Sequence, residues 1–598
     1  MEGIYQLLSF SIDKTNEFIV SLTVYIQPKA VIRCCMRDYY YLNQIKATLI
    51  LLATLLAVAK SQAANPPISS QVDQNSRRAL QENQRQLNKQ LQPKPTKGPA
   101  EEGLKEVTAE GNPILQESAK CLPITGVYVT DTTLLSEKDF AKLTPIANDC
   151  ILAEDVNRLI RELTGLYISK GYVTARILLL QPGVYGELGL EIMEGEIEGI
   201  LGASETVNID TLFPDLVGQP LNLRDLEQGL DQANRLQSNK VSMRLLPGEY
   251  RGSTVVELIN PPASRWNSNA SIDNYGQEST GRNVLRAMTV YSSPFGMSDY
   301  ISLSGSTTLE SNPEVYSRSV SALYSIPYGY WTLSSFGFYS GYSTENNSTN
   351  NTVNIHGWSS LLGMRLDRTI SRDGNQINTI SGQINYKQAK NFVETIQFDI
   401  NSQDLAVLSL DYSHLRILST GVVSAGIGID RGTSLFGANT ESTAVDEHFT
   451  KLRGNITTSY YFKMLEDTYL YRNRLVGQFS QHIIPGVEWI GISDSSAVRG
   501  LDINNLSSSD GWYLRNTLSR DINVTEWIFT PRLGLDYGQV DTGIEENGFD
   551  KAVGISIGQR ATYKQASFDL EVSKAWILNS PEYKQESVLV LARLGLEF

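Results

Sequence analysis

Hydrophobic and polar positions alternate in four successive textures along the 598-residue chain. From Met36 the sequence MRDYYYLNQIK leads into ATLILLATLLAVA (Ala47 to Ala59), closed by Ser61-Gln62-Ala63-Ala64. A basic flank, an apolar run of about 13 and small residues at its end predict a secretory leader over 36–63, cut near Ala63 or Ala64. The run is short for a membrane span. Residues 1–35 then form an extension upstream of the true start at Met36, the alternative being a cytoplasmic extension on a signal anchor. Next, 65–92 is rich in helix formers, and from Gln71 to Gln92 it has only a thin apolar seam of Val72, Leu80, Leu87 and Leu91. Arg77, Arg78, Arg85 and Lys89 make it basic, so the pattern fits either a helix in a hydrated cavity or a solvated tail. A Pro-punctuated linker, 93–115, follows.

Two units with the same order of parts come next. In 116–198, Val156, Leu159, Ile160, Leu163 and Tyr167 share one face of a helix over Glu154 to Ser169; Gly171 ends it before the strand-like VTARILLL and ELGLEIMEGEIEGI. In 199–262, Asn222 caps a helix carrying Leu223, Leu226, Leu230, Ala233 and Leu236, followed by VSMRLL, a turn at Pro247-Gly248 and STVVELI. Both read as small α+β units.

From 263 to 598 the helical period is lost and short alternating segments are separated by Gly, Asn, Ser and Asp. In the final segment Ala592, Leu594, Leu596 and Phe598 face one way and Arg593, Gly595 and Glu597 the other, one face suited to lipid and one to water. A soluble sheet shows the same alternation. The terminal aromatic, the leader and the stretch STENNSTNNT (Ser343 to Thr352), read as an extracellular loop after a tight turn at Ile326-Pro327-Tyr328-Gly329, favour a membrane barrel. At roughly 21 residues per strand this mainly β region makes an antiparallel barrel of about 16 strands, and twelve or fourteen with longer loops fit nearly as well. Past the leader no run of 18 apolar residues occurs, so a spanning structure must be a closed barrel.

Composition sharpens this reading. Apolar residues are 41% and charged ones only 19%, with 29 Tyr and 46 Gly, a balance suited to strands and turns. A net charge of −14 argues against a general nucleic-acid binder. His356, His414, His448 and His482 are dispersed without metal-ligand spacing, so no metal, cofactor or catalytic residue is assigned. Cys34 and Cys35 precede the leader. Cys121 and Cys150, about 29 residues apart in an exported chain, read as a disulfide worth roughly 3 kcal/mol by loop closure, against the alternative of two buried thiols. A passive porin needs no region like 121–262, and no GxxxxGK[ST] phosphate loop marks a motor.

The order of parts resembles the transporters of two-partner secretion, the family that exports haemolysins and filamentous haemagglutinins, within the outer-membrane assembly superfamily that joins POTRA (polypeptide-transport-associated) domains to a barrel. The segments that carry the likeness are RDLEQGLDQANRL with LLPGEYRGST, SIPYGYW, and QFSQHIIPGVEWIGISDSSAVRG. The resemblance implies a plug helix over 65–92, acting in a lumen lined by polar and acidic side chains, two POTRA domains and a barrel. Val498-Arg499-Gly500 is similar to the family's Val-Arg-Gly-aromatic loop tip, with Leu501 replacing the aromatic. Gly534-Leu535-Asp536-Tyr537-Gly538 is similar to its Phe-x-Asp-x-Gly strand element. An Arg499–Asp536 ion pair is therefore implied, in which the guanidinium fork fixes a loop returning into the pore; in a wet lumen it is expected to contribute about 1–2 kcal/mol. The implied function is nucleotide-free export of one large secreted exoprotein, bound unfolded by POTRA domains in the periplasm and passed through the bacterial outer membrane. The alternative is an insertase of the same superfamily. Outer-membrane lipids, and barrel-assembly machinery that reads Leu594, Leu596 and Phe598, complete the implied partners.

Overall fold

A β-sheet in hydrocarbon must leave no backbone group unpaired, which it achieves by closing on itself. The computed structural model describes residues 11–12, 18–19, 68–91, 115–116, 120–146, 150–347, 352–398, 402–439, 446–493, 495–541, 548–578 and 583–598. Within them sixteen antiparallel strands, from Trp266–Asp273 to Leu589–Glu597, pair in sequence order. The last strand closes on the first, from Arg593↔Asp273 to Glu597↔Asn269. Two short segments, Ile396–Gln397 and Ile522–Val524, extend hairpins of this barrel. The count of sixteen is the expected one, and the alternatives of twelve and fourteen fall away. The leader, Cys34, Cys35 and 93–114 of the linker lie outside the described residues.

The alternation does what the sequence pattern requires. Leu285, Val320, Leu362, Leu410 and Ile557 stand exposed on the outer face, a belt suited to lipid. In the last strand Leu594, Leu596 and Phe598 are exposed on the outside, while Arg593 turns inward to Asp273 at 3.0 Å. One expectation is corrected: Ser343 to Thr352 is not simply a loop. Ser343–Asn347 continues the Trp331–Asn347 strand and pairs back from His356 to Thr352, because the ladder needs backbone groups and not apolar side chains. The expectation that the chain is no enzyme, for want of a Gly-x-Ser-x-Gly elbow, is corrected in its premise: Gly554-Ile555-Ser556-Ile557-Gly558 has that spacing, inside the Phe549–Tyr563 strand, where Ser556 pairs with Gly534 and Ser573.

Two small three-stranded sheets precede the barrel. In each, the first strand runs parallel to the central third: Gly126–Thr130 beside Glu187–Met193, and Glu196–Leu201 beside Ser253–Ile259. The helices Ala153–Ser169 and Leu223–Ala233 pack on them with the expected faces, and Asn222 caps the second through its side-chain oxygen, 2.9 Å from the Arg224 N–H. The boundary expected at 198/199 is corrected, since it would cut Glu196–Leu201, a strand of the second sheet. The first domain ends by Gly195.

The Leu223–Ala233 helix sits on the barrel end where the connections are short. Gln228 and Gln232 amides donate to the Gly329 carbonyl at 3.3 and 3.2 Å. Tyr330 donates to Asp225 at 2.6 Å, and Arg372 reaches Gln228 and Asp231 at 2.9 Å each. The SIPYGYW turn is thus one docking point of the second domain, and the turn at Gly296–Ser298, bonded by Asn208 and Thr211, is another.

Cys121 and Cys150 are joined, with Cα atoms 5.2 Å apart across a separation of 29 residues. Replacing both with serine should lower the stability of the first small domain by about 3 kcal/mol on the loop-closure estimate. Pulse proteolysis of the full chain in a urea series reads this directly; an unchanged midpoint for cleavage within 120–195 would show that the bridge adds nothing.

Candidate functional site

The described residues of the connection after Asp467–Ser480, 481–493 and 495–510, fold back into the barrel instead of extending from it. At its tip the Arg499 fork meets one carboxylate: Nε to Asp536 Oδ2 at 2.7 Å and Nη2 to Oδ1 at 2.6 Å, with the Arg499 backbone N–H on Oδ2 at 3.0 Å. Nη2 also donates to the Asn516 carbonyl at 2.5 Å, and Glu571 lies 3.9 Å from Nη1. The wall comes close because it lacks side chains there. A Cβ at Gly534 would lie 2.2 Å from the guanidinium carbon. Gly538 faces Val498, and Gly500 turns the tip with φ +88°, a region that favours glycine.

The expectation of a water-exposed pair is overturned. Arg499 and Asp536 are each 1% exposed. Val498, Ile492, Ala497 and Leu501 form an apolar cluster with Tyr513, Val540, Ala552 and Ala575 of the wall, and this cluster excludes water from the pair. Leu501 is buried within it, so the tip packs without the family aromatic. The pair falls in the class where desolvation offsets much of the attraction, yet removing one partner costs several kcal/mol.

A second element shares the lumen. The helix Ile68–Leu91 touches inward-facing wall residues: Glu82 pairs with Arg286 at 2.7 Å, and Gln90 lies 3.5 Å from the Met288 sulfur. Leu80 and Leu87 are buried against Leu323, Phe336, Phe338 and Leu361, with Leu91 beside them. The expected polar and acidic lining is present in Asp273, Asp430, Asp569 and Glu571 of the wall, and it is interrupted where the leucine seam meets an apolar patch. Arg77 is buried and lies 5.6 Å over the Trp489 ring. Arg78 donates to the Ser493 carbonyl at 3.0 Å and Gln81 to that of Trp489 at 2.6 Å. Arg85 is half-buried and Lys89 exposed. The helix therefore rests on the same connection that carries Arg499.

The comparisons agree with this geometry. The description "Haemolysin secretion/activation protein ShlB/FhaC/HecB" matches residues 252–561, a ShlB-type POTRA domain matches 122–195, and a further POTRA domain matches 196–247. The hemolysin transporter protein ShlB of Serratia marcescens is 42% identical over 525 residues, 88% of this chain and 94% of that protein. The chain belongs to the ShlB/FhaC/HecB family. HpmB, the hemolysin transporter protein of Proteus mirabilis, is 40% identical over 86% of this chain and 93% of its own length. Among solved structures, CdiB from Escherichia coli shares the fold of this ShlB/FhaC/HecB member with a TM-score of 0.77, at 23% identity over 90% of this chain and 100% of that one.

Three features of the site escaped the sequence reading. Gly554 lets the Arg499 carbonyl approach the wall, 2.3 Å from where its Cβ would stand. Glu586 accepts from the backbone N–H groups of Asp502, Ile503 and Asn504 at 3.1, 3.0 and 3.0 Å. Glu488 pairs with two wall lysines. Only Glu488 lies in a segment singled out for resemblance, and its partners are distant in sequence.

R499A and D536N should each release the loop tip, at a cost of about 3–5 kcal/mol for the uncompensated buried charge. R499K should not rescue it, since an ammonium cannot reproduce the bidentate fork. Protease cleavage within 481–510 in the folded, detergent-solubilised protein measures this; native-like protection in R499K would refute the fork as the holding element.

Proposed function

We propose that this protein is an outer-membrane transporter of two-partner secretion, exporting a large secreted exoprotein through its barrel without nucleotide hydrolysis. The observation that carries the reading is a closed sixteen-stranded barrel, entered by two POTRA domains and filled by a helix and a returning loop, in a chain of the ShlB/FhaC/HecB family. The relatives named as hemolysin transporters support secretion over insertase activity. The barrel lies in the outer membrane with its POTRA domains in the periplasm, at the end with short connections.

The sequence of events is the finer part of the proposal. An unfolded partner binds the POTRA domains by adding its extended chain to a sheet edge. The helix Ile68–Leu91 is a plug: it leaves the lumen while tethered by the linker, the loop carrying Arg499 shifts, and the partner threads outward, its folding outside giving direction. The exposed outer belt meets lipid, and the strand ending in Leu594, Leu596 and Phe598 is read by barrel-assembly machinery during biogenesis.

Single-channel conductance in planar bilayers tests the plug. The mature chain should give small, flickering openings, and the chain lacking 65–92 large and steady ones. Equal conductance would refute the plug, and no conductance in either would favour the insertase.

A further inference from the structure

Glu488 is the carboxylate that the export reading leaves unexplained. It ends the one-turn helix Gly486–Glu488 on the entering arm of the returning loop and is 3% exposed. Its two oxygens take separate ammonium groups: Oε1 lies 2.5 Å from Lys387 Nζ and Oε2 lies 2.6 Å from Lys451 Nζ. These lysines project from different wall strands, Gln376–Val393 and Thr450–Met464. The backbone is held at the same place, since the Glu488 carbonyl accepts from Lys451 at 3.2 Å and from the Gln478 amide at 2.9 Å. Asp430 stands 3.5 Å from Lys451 and is itself paired with Arg453 at 2.7 Å, so cations and carboxylates alternate along this wall.

The lumen helix is seated on this arm. Arg77, Gln81 and Arg78 donate to the carbonyls of Gly486, Trp489 and Ser493 at 3.4, 2.6 and 3.0 Å. The Trp489 ring beneath Arg77 is itself held by its indole N–H on the Ile484 carbonyl at 2.9 Å. A carbonyl's position follows the course of its backbone and nothing else. The seat therefore exists only while this arm keeps its path, and the path passes through the doubly paired carboxylate.

We propose that Glu488 is a positioning residue coupling the loop to the helix: its pairs with Lys387 and Lys451 hold the arm on which the helix sits, so losing them unseats the helix without any change in the helix itself. This rests on the plug reading above. It differs from the Arg499 lock, which holds the tip against the Trp527–Asp541 strand on another part of the wall.

The test is a coupling measurement. E488Q and K451M are each introduced into the full mature chain and into the chain lacking 65–92, and conductance is recorded in planar bilayers. Heat-modifiable migration checks that each barrel is folded; should E488Q fail to fold, K451M carries the comparison from the wall side. In the full chain each variant should raise the open fraction about tenfold, the change expected when roughly 1.4 kcal/mol of seating is lost. In the helix-deleted chain neither should change it. If helix deletion opens the pore but both variants conduct as the native chain does, the coupling role fails and the plug stands. Equal gains in both backgrounds would make Glu488 a determinant of the loop alone and overturn the proposal. If helix deletion changes nothing, the plug reading falls and takes the proposal with it.

Discussion

The enclosure of the Arg499–Asp536 pair is the constraint from which the rest of the lumen follows. A sixteen-stranded barrel is wide enough to hold an aqueous channel, and a charged pair in such a channel would be hydrated and weak. Here the pair is dry because the returning loop brings its own apolar residues, Val498, Ile492 and Leu501, against Tyr513, Val540 and Ala552. That packing constrains the wall in turn. Gly534 must leave room for the guanidinium, so a stretch of membrane strand is shaped by a loop that sequence order places outside it.

The two occupants of the lumen are held by different physics. The loop is fixed by charge, Arg499 on Asp536 at its tip and Glu488 between two lysines on its entering arm, inside the apolar packing around Val498 and Leu501. Buried ion pairs supply direction and register, while their net gain over apolar contact is small because desolvation offsets attraction. The helix is held mainly by two buried leucines, Leu80 and Leu87, each worth about 1.5–3 kcal/mol of burial, by neutral or singly charged bonds to carbonyls, and by one half-exposed ion pair, Glu82 with Arg286. Its remaining surface is polar enough to enter water. Under the plug proposal such an element leaves as a unit, whereas the loop exchanges one defined position for another.

How much was legible in the sequence depended on whether a signal was local. The amphipathic faces around Leu163 and Leu226 and the strand alternation through Leu596 carry their own period, so the two domain helices and a strand-rich region could be read locally, while the barrel rested also on the leader and terminal aromatic and its count stood at about sixteen with twelve or fourteen open. The leading strand Gly126–Thr130 could not be read so, and Glu196–Leu201 reads as strand-like but within the first unit, because each is short and gains its place by parallel pairing with a strand more than fifty residues on; the misplaced domain boundary has that cause. Arg499 and Asp536 were reached through the family resemblance and not through periodicity, and their burial was misjudged because the residues that exclude water come from five different segments, the loop and four wall strands. Glu488 lay in a stretch already singled out, but Lys387 is 101 residues away and no local pattern announces it.

The periplasmic arm offers little freedom of its own. Only Glu194 and Gly195 separate the strand Glu187–Met193 of the first sheet from Glu196–Leu201 of the second. The Glu194 carboxylate is held by the Tyr167 hydroxyl at 2.7 Å and the backbone N–H groups of Thr133 and Leu134 at 2.8 and 2.9 Å. Across the same junction the Leu223 N–H donates to the Gly171 carbonyl at 2.8 Å. The second domain is in turn bonded to the barrel turn at Gly329 and to Arg372. On the export mechanism proposed above, an arm tied at each joint leaves the rearrangement that opens a path to the place where contacts are few and replaceable. That place is the lumen, at the carbonyls of Gly486, Trp489 and Ser493 on which the helix rests.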